Sequence, residues 1–187
     1  DGYYLFEKDE QTGLNTGAET GLLGKGKAPF SYRVSRIIHE SFFDPKHPLF
    51  SSFQKIAARV DKSDSAKGMV GKLELLIKTL LYNCKDCGDC ALCDVAYLCP
   101  VSQCPKDRRL GPCGGSHEGW CEVYPGGKQC IWVRAYERLK HYDEEDTIGS
   151  YIVPPRDWAL WQTPAQLNFY LGRDHTSRRL GIKPPQS

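Results

Sequence analysis

Nine cysteines crowd into residues 84–130, and the remaining 140 residues of the chain hold none. The run opens as Cys84-x2-Cys87-x2-Cys90-x2-Cys93. It continues through Cys99-Pro100, Cys104-Pro105, Cys113, Cys121 and Cys130. Thiols at this spacing are metal ligands first, because the soft thiolate selects zinc and iron–sulfur centres. A disulfide framework fits poorly. Nine is odd, which leaves one thiol over. A bridge also needs Cα atoms roughly 4.4–6.8 Å apart with suitably directed Cβ vectors, and four cysteines at three-residue steps point around a common centre instead. A reducing, cytoplasmic setting suits free thiols better.

The rest of the 187 residues reads as mainly α, a small helical domain built around a long irregular Cys-rich metal-binding loop region. Residues 1–29 comprise a short strand, Gly2-Tyr3-Tyr4-Leu5-Phe6, and a Gly-containing linker. A lone strand cannot stabilise itself and needs a partner, such as a preceding domain. The first residue is Asp rather than Met, as expected of a fragment or a processed product.

Residues 30–83 read as three helices. Ser31 to Phe43 places Tyr32, Val34, Ile37, Ile38 and Phe42 on one face and ends at Asp44-Pro45. Pro48 to Val60 carries Leu49, Phe53, Ile56 and Ala57. A third helix begins near Ser63 or Ser65, carries Val70, Leu73, Leu76, Ile77, Leu80 and Leu81, and runs into Cys84. Its apolar face is expected in the core, holding the first ligand loop still. Residues 84–130 read as loop, with Asp94 to Leu98 the one candidate helical turn, too poor in apolar residues to fold without a bound centre. Residues 131–187 read as two helices and a tail. Ile131 to His141 is one. Thr163-Pro164-Ala165-Gln166 starts the other with a capping box, and Gly172 stops it. The tail from Arg178 is expected to fray.

Two metal readings compete. In the first, eight thiolates hold two zinc ions, with His117 or His141 able to substitute. In the second, they hold two [4Fe–4S] clusters. Successive Cys-x2-Cys steps let one tight loop reach three corners of a cubane, and the fourth thiolate comes from afar, often followed by Pro. Cys84, Cys87 and Cys90 supply such a triplet, and Cys99-Pro100 and Cys104-Pro105 supply remote partners. Cys93 comes one residue earlier than the ferredoxin pattern and lacks the following Pro. Setting it aside leaves Cys84, Cys87, Cys90, Cys99, Cys104, Cys113, Cys121 and Cys130. The Gly111-Pro112-Cys113-Gly114-Gly115-Ser116 turn can aim several backbone N–H groups inward at an anionic centre.

Three further segments carry a family resemblance. Cys87-Gly88-Asp89-Cys90-Ala91-Leu92, Asp94 to Lys106 (Asp-Val-Ala-Tyr-Leu-Cys-Pro-Val-Ser-Gln-Cys-Pro-Lys) and Gly111 to Ser116 resemble the C-terminal domain of methylenetetrahydrofolate-reductase-like proteins. Cys121-Glu122-Val123, Ile131 to Tyr136 and Leu171-Gly172-Arg173-Asp174-His175 extend the likeness over about residues 30–175. Proteins of this type include the electron-transfer partner subunit of reductases in acetogenic bacteria. The resemblance implies a module that serves a flavin-containing barrel, in the same longer chain or as a separate subunit, with a ferredoxin-like electron donor. Residues 1–16 resemble the last strand and loop of such a barrel. The family often has another residue at the position of Cys93, which agrees with an extra thiol there.

Other chemistry is sparse. A net charge of +2 gives no nucleic-acid footprint, and no apolar run is long enough to span a membrane. Lys106, Arg108 and Arg109, like Arg173, Arg178 and Arg179, read as solvated loop charges. The five histidines are scattered. Trp120, Trp132, Trp158 and Trp161 are expected to cover the metal stretch and fill the core. No nucleophile elbow, Walker loop or dinucleotide fingerprint is present, so no catalytic residue is assigned. Flavin and folate sites belong to a barrel that these residues do not include.

Overall fold

A computed structural model describes residues 29–185. The strand expected at residues 2–6 and the barrel likeness of residues 1–16 lie outside them. Helix α1 spans Phe30–Phe42, α2 Phe50–Asp61 and α3 Asp64–Tyr82. Ser63 starts α3 by accepting the Ala66 N–H at its hydroxyl (3.4 Å). Asn83, in the left-handed region at φ 52°, ends it. The Cys84 N–H then turns back to the Lys78 carbonyl (3.4 Å), so the helix cap delivers the first sulfur.

The Cys-rich segment is more ordered than composition suggests. Besides a 3-10 turn at Cys93–Val95, it holds α4 (Pro100–Gln103) and a short antiparallel hairpin, β1 (Ser116–His117) and β2 (Trp120–Cys121). Pro100 sits in the first turn of α4, where its missing N–H is no loss. Then follow α5 (Ile131–Lys140), α6 (Thr147–Ser150), α7 (Ala165–Tyr170) and α8 (His175–Arg179).

Two apolar cores hold these parts together. The first joins Tyr32 of α1, Val95, Ala96 and Leu98 of the Cys segment, and Ile131, Trp132 and Ala135 of α5, with Cys104 and Cys130 packed against it. The Trp132 indole N–H donates to the Arg108 carbonyl (3.1 Å). The second joins Phe50 and Ala57 of α2 to Leu167, Phe169, Tyr170 and Leu171, with Ile182 closing it.

Several expectations are corrected here. The leucines of α3 enter neither core: Leu80 is 78 % exposed, and the residue α3 buries is Glu74. The apolar residues of α7 pack on Phe50 and Ala57 of α2, and the polar link from α7 to α3 runs through Glu74. The Glu74 carboxylate accepts the Gln166 N–H (3.2 Å) and so caps α7 from a distance. The expected capping box does not form. The Thr163 hydroxyl instead donates to the Leu160 carbonyl (2.6 Å) and accepts from the Asn168 amide (2.7 Å). Gly172, at φ 73°, ends α7 as expected. The tail is not frayed through its described length, because α8 runs to Arg179 and Ile182 is buried. Trp158 is exposed rather than core-filling, and the Arg156 guanidinium lies over its ring at 4.7 Å from the centroid.

Candidate metal centre

Cys84, Cys87, Cys90 and Cys99 border one cleft, closed by Lys78, Tyr82, Leu92 and Pro100. Three come from the loop that leaves α3, and the fourth, Cys99, immediately precedes α4. The Ser102 hydroxyl fixes α4 to the end of α3 by donating to the Tyr82 carbonyl (2.6 Å). The four sulfurs feel one another. Burial raises the thiol pKa of Cys84 and Cys87, and Cys99 adds to the rise in each. Burial pushes Cys90 up to about 12 against the pull of Lys78, whose Nζ stands 3.9 Å from its sulfur. Burial would lower the Lys78 pKa, but Cys90 and Glu74 outweigh it and hold it above its ordinary value.

The loop between Cys87 and Cys90 is clamped from the far end of the chain. Gly88 adopts φ 69°, and a Cβ there would collide with the Leu160 carbonyl oxygen. Its own carbonyl accepts the Asn168 amide (2.9 Å). Asp89, almost wholly buried, takes Arg109 Nη2 (2.8 Å) and His175 Nδ1 (2.5 Å) on its carboxylate and Arg109 Nη1 on its carbonyl (2.6 Å). His175 Nε2 reaches Asp94 (2.8 Å). Burial alone would lower the His175 pKa, yet the two carboxylates raise it. Burial would raise Asp89, yet His175 and the backbone donors hold it well below the usual carboxylate range. Arg109 is therefore a buried structural cation, not the solvated loop charge expected. Nothing in the spacing of Asp89, Arg109 and His175 betrays this triad.

The other cysteines lie apart from the cleft. The Arg108 N–H points at the Cys104 sulfur (3.5 Å) and the Gly115 N–H at that of Cys113 (3.4 Å), which Lys106 Nζ approaches at 4.0 Å. Cys121 is buried on β2 beside Ser116 of β1. Cys130 precedes α5, and its N–H donates to the Gly119 carbonyl (2.8 Å). His117 is on β1 with an exposed side chain. Cys93 does not line the four-sulfur cleft; its sulfur lies near Asp94 (3.9 Å) and the Thr176 hydroxyl (3.8 Å), and it lines the neighbouring groove together with Cys90. All nine thiols are free. Among the described residues, no three His, Cys, Asp or Glu side chains gather closely enough to hold a single metal ion.

Residues 64–159 match the family model described as methylene-tetrahydrofolate reductase C terminal. The chain belongs to this family. No curated protein and no solved structure matches it. Within this reductase C-terminal family member, the matched span contains all nine cysteines and runs from the start of α3 to the 3-10 turn after Pro154-Pro155. The donor set fits a thiolate-held inorganic centre. Four thiols border one cleft, the half-buried Lys78 ammonium stands beside one of them, and backbone N–H groups aim at sulfur, including that of Asp86 at Cys84 (3.4 Å). No described helix is long and apolar enough to cross a membrane.

Proposed function

We propose that the chain is an iron–sulfur electron-transfer module of a methylenetetrahydrofolate-reductase-type flavoenzyme. One [4Fe–4S] cluster would be held by Cys84, Cys87, Cys90 and Cys99, and a second by Cys104, Cys113, Cys121 and Cys130. The observation that carries the reading is the meeting of the Cys-x2-Cys-x2-Cys loop with the remote Cys99-Pro100 at one cleft. Membership of a reductase C-terminal family supports the association with a reductase.

When bound, such clusters supply one-electron transfer. The protein residues do the rest. Cys84 is positioned by the α3 cap and Cys99 by α4. The half-buried Lys78 stands beside Cys90 and offsets anionic charge there. The Asp89–Arg109–His175 triad fixes the loop that presents Cys87 and Cys90. A ferredoxin-like protein would give electrons and a flavin-bearing barrel would take them, in a reducing compartment.

Anaerobic purification with metal and sulfide analysis tests this reading. About eight iron atoms and eight acid-labile sulfides per chain, with broad visible absorbance, are expected of two cubanes. A colourless protein that carries zinc and no sulfide would instead make this a zinc-stapled docking domain of the same reductase type.

A further inference from the structure

The apolar face of α3 is continuous and, among the described residues, uncovered. Met69, Leu73, Leu76, Ile77, Leu80 and Leu81 recur at i, i+4, i+7, i+8, i+11 and i+12, and each is about half or more exposed. On α1, Phe30, Val34, Ile37 and Ile38 form a second exposed stripe at the same period. The two helices meet where the Ser35 hydroxyl bonds the Tyr82 phenol (3.1 Å). Between them lies an apolar groove that Ile38, Ile77 and Leu81 flank. Its floor contains Cys90 and Leu92, which also border the four-sulfur cleft, as do Lys78 and Tyr82. The groove and the cleft thus share a wall.

We propose that the α1–α3 groove is the docking face for the flavin-bearing body of the reductase, seated on the Cys90 side of the cluster. This deepens the electron-transfer reading and rests on it. Three observations select this occupant. On α3 the face runs from Met69 to Leu81, about 18 Å, and the exposed stripe of α1 widens it to two helices, the scale of a docking patch rather than of single exposed side chains. It far exceeds the scattered apolar residues of an ordinary surface. Its shared wall with the cleft brings whatever sits there next to the Cys90 sulfur, where an electron acceptor has to be. A second copy of this chain would instead cover one donor with another. The family is described as the C terminus of a methylene-tetrahydrofolate reductase, which agrees with a reductase as the occupant. The contact is apolar, because Lys78, the cation on the groove floor, is already neutralised by Glu74 (2.5 Å).

The test uses the metal-replete full chain and a separately purified, flavin-loaded methylenetetrahydrofolate reductase catalytic body. Binding is read by titration and by hydrogen–deuterium exchange. Protection is expected at residues 30–43 and 69–82. The double variant Leu76→Glu/Leu80→Glu should weaken binding at least tenfold, while its iron, sulfide and spectrum stay unchanged. Ile152→Glu, also exposed but outside the groove, should bind as the parent does. Raising the salt should change affinity little. Undiminished binding by the double variant overturns the proposal. So does a parent chain that sediments as a dimer the variant splits, or a groove that gains exchange when residues 1–28 are removed. A chain without iron that still loses the reductase on Leu76→Glu/Leu80→Glu sinks the cluster reading but keeps the surface.

Discussion

Asp89 and His175, 86 residues apart, meet at 2.5 Å through Oδ1 and Nδ1, with Arg109 on the other carboxylate oxygen. Removing one partner of a buried pair leaves an uncompensated charge, a loss of about 3–5 kcal/mol. Arg109→Ala should therefore lower the thermal midpoint strongly, as read by circular dichroism. Arg109→Lys should recover only part, because one ammonium cannot serve the Asp89 carbonyl and carboxylate as the guanidinium fork does. An unchanged midpoint for Arg109→Ala means that the triad does not hold the loop.

Cys87→Ser and Cys93→Ser separate ligand from bystander. Cys87 borders the four-sulfur cleft and Cys93 does not. Loss of one of two cubanes should remove about half of the iron, sulfide and visible absorbance in Cys87→Ser. Cys93→Ser should keep all three. Equal loss in both variants would place Cys93 among the ligands.

Gly88→Ala tests the tightness of the ligand loop. The substitution puts a Cβ on a left-handed residue, at a strain of about 1–3 kcal/mol, and drives it into the Leu160 carbonyl. The variant should melt earlier and hold less iron per chain. Parent-like iron content and melting would show that the loop yields freely.

His39 sets an acid-side dependence. Burial against Phe43 and Tyr97 lowers its pKa below its ordinary 6.5; Asp94, Asp44 and Glu40 pull the other way and Arg179 adds to the lowering. The folded chain keeps the ring neutral while the unfolded chain protonates it. Stability is therefore full above about pH 6.5 and falls as the pH drops through the folded value. His39→Gln should flatten that part of the curve in urea melts of the isolated chain. An unaltered slope would mean that His39 is not the group responsible.

The longer helices α1, α2, α3 and α5, and the start of α7, were legible from the sequence because their signals are local, whereas the short α4, α6 and α8 were not. Ser63, the 3.6-residue period and Gly172 each act within a turn or two. The Cys99-Pro100 pair was legible as a candidate remote partner because Pro follows Cys there, and the structure brings Cys99 to the cleft that Cys84, Cys87 and Cys90 border. What stayed hidden depends on distant partners. Glu74 replaces the capping box of α7 from another helix, and Asp89 finds Arg109 and His175 far along the chain. Periodicity also reports that α3 has an apolar face without saying what covers it, which is why its leucines read as core. Trp158 and Trp161 misled for the same reason: an aromatic ring serves a cation at the surface as well as a core.

The Asp89 clamp also fixes an order of events. During synthesis, residues 84–99 leave the ribosome with all five of their thiols well before His175 and Asn168 exist to brace the bend that presents them. A growing chain thus offers sulfur without architecture, and under the proposed reading an inorganic centre would reach its finished setting only after translation has passed α8.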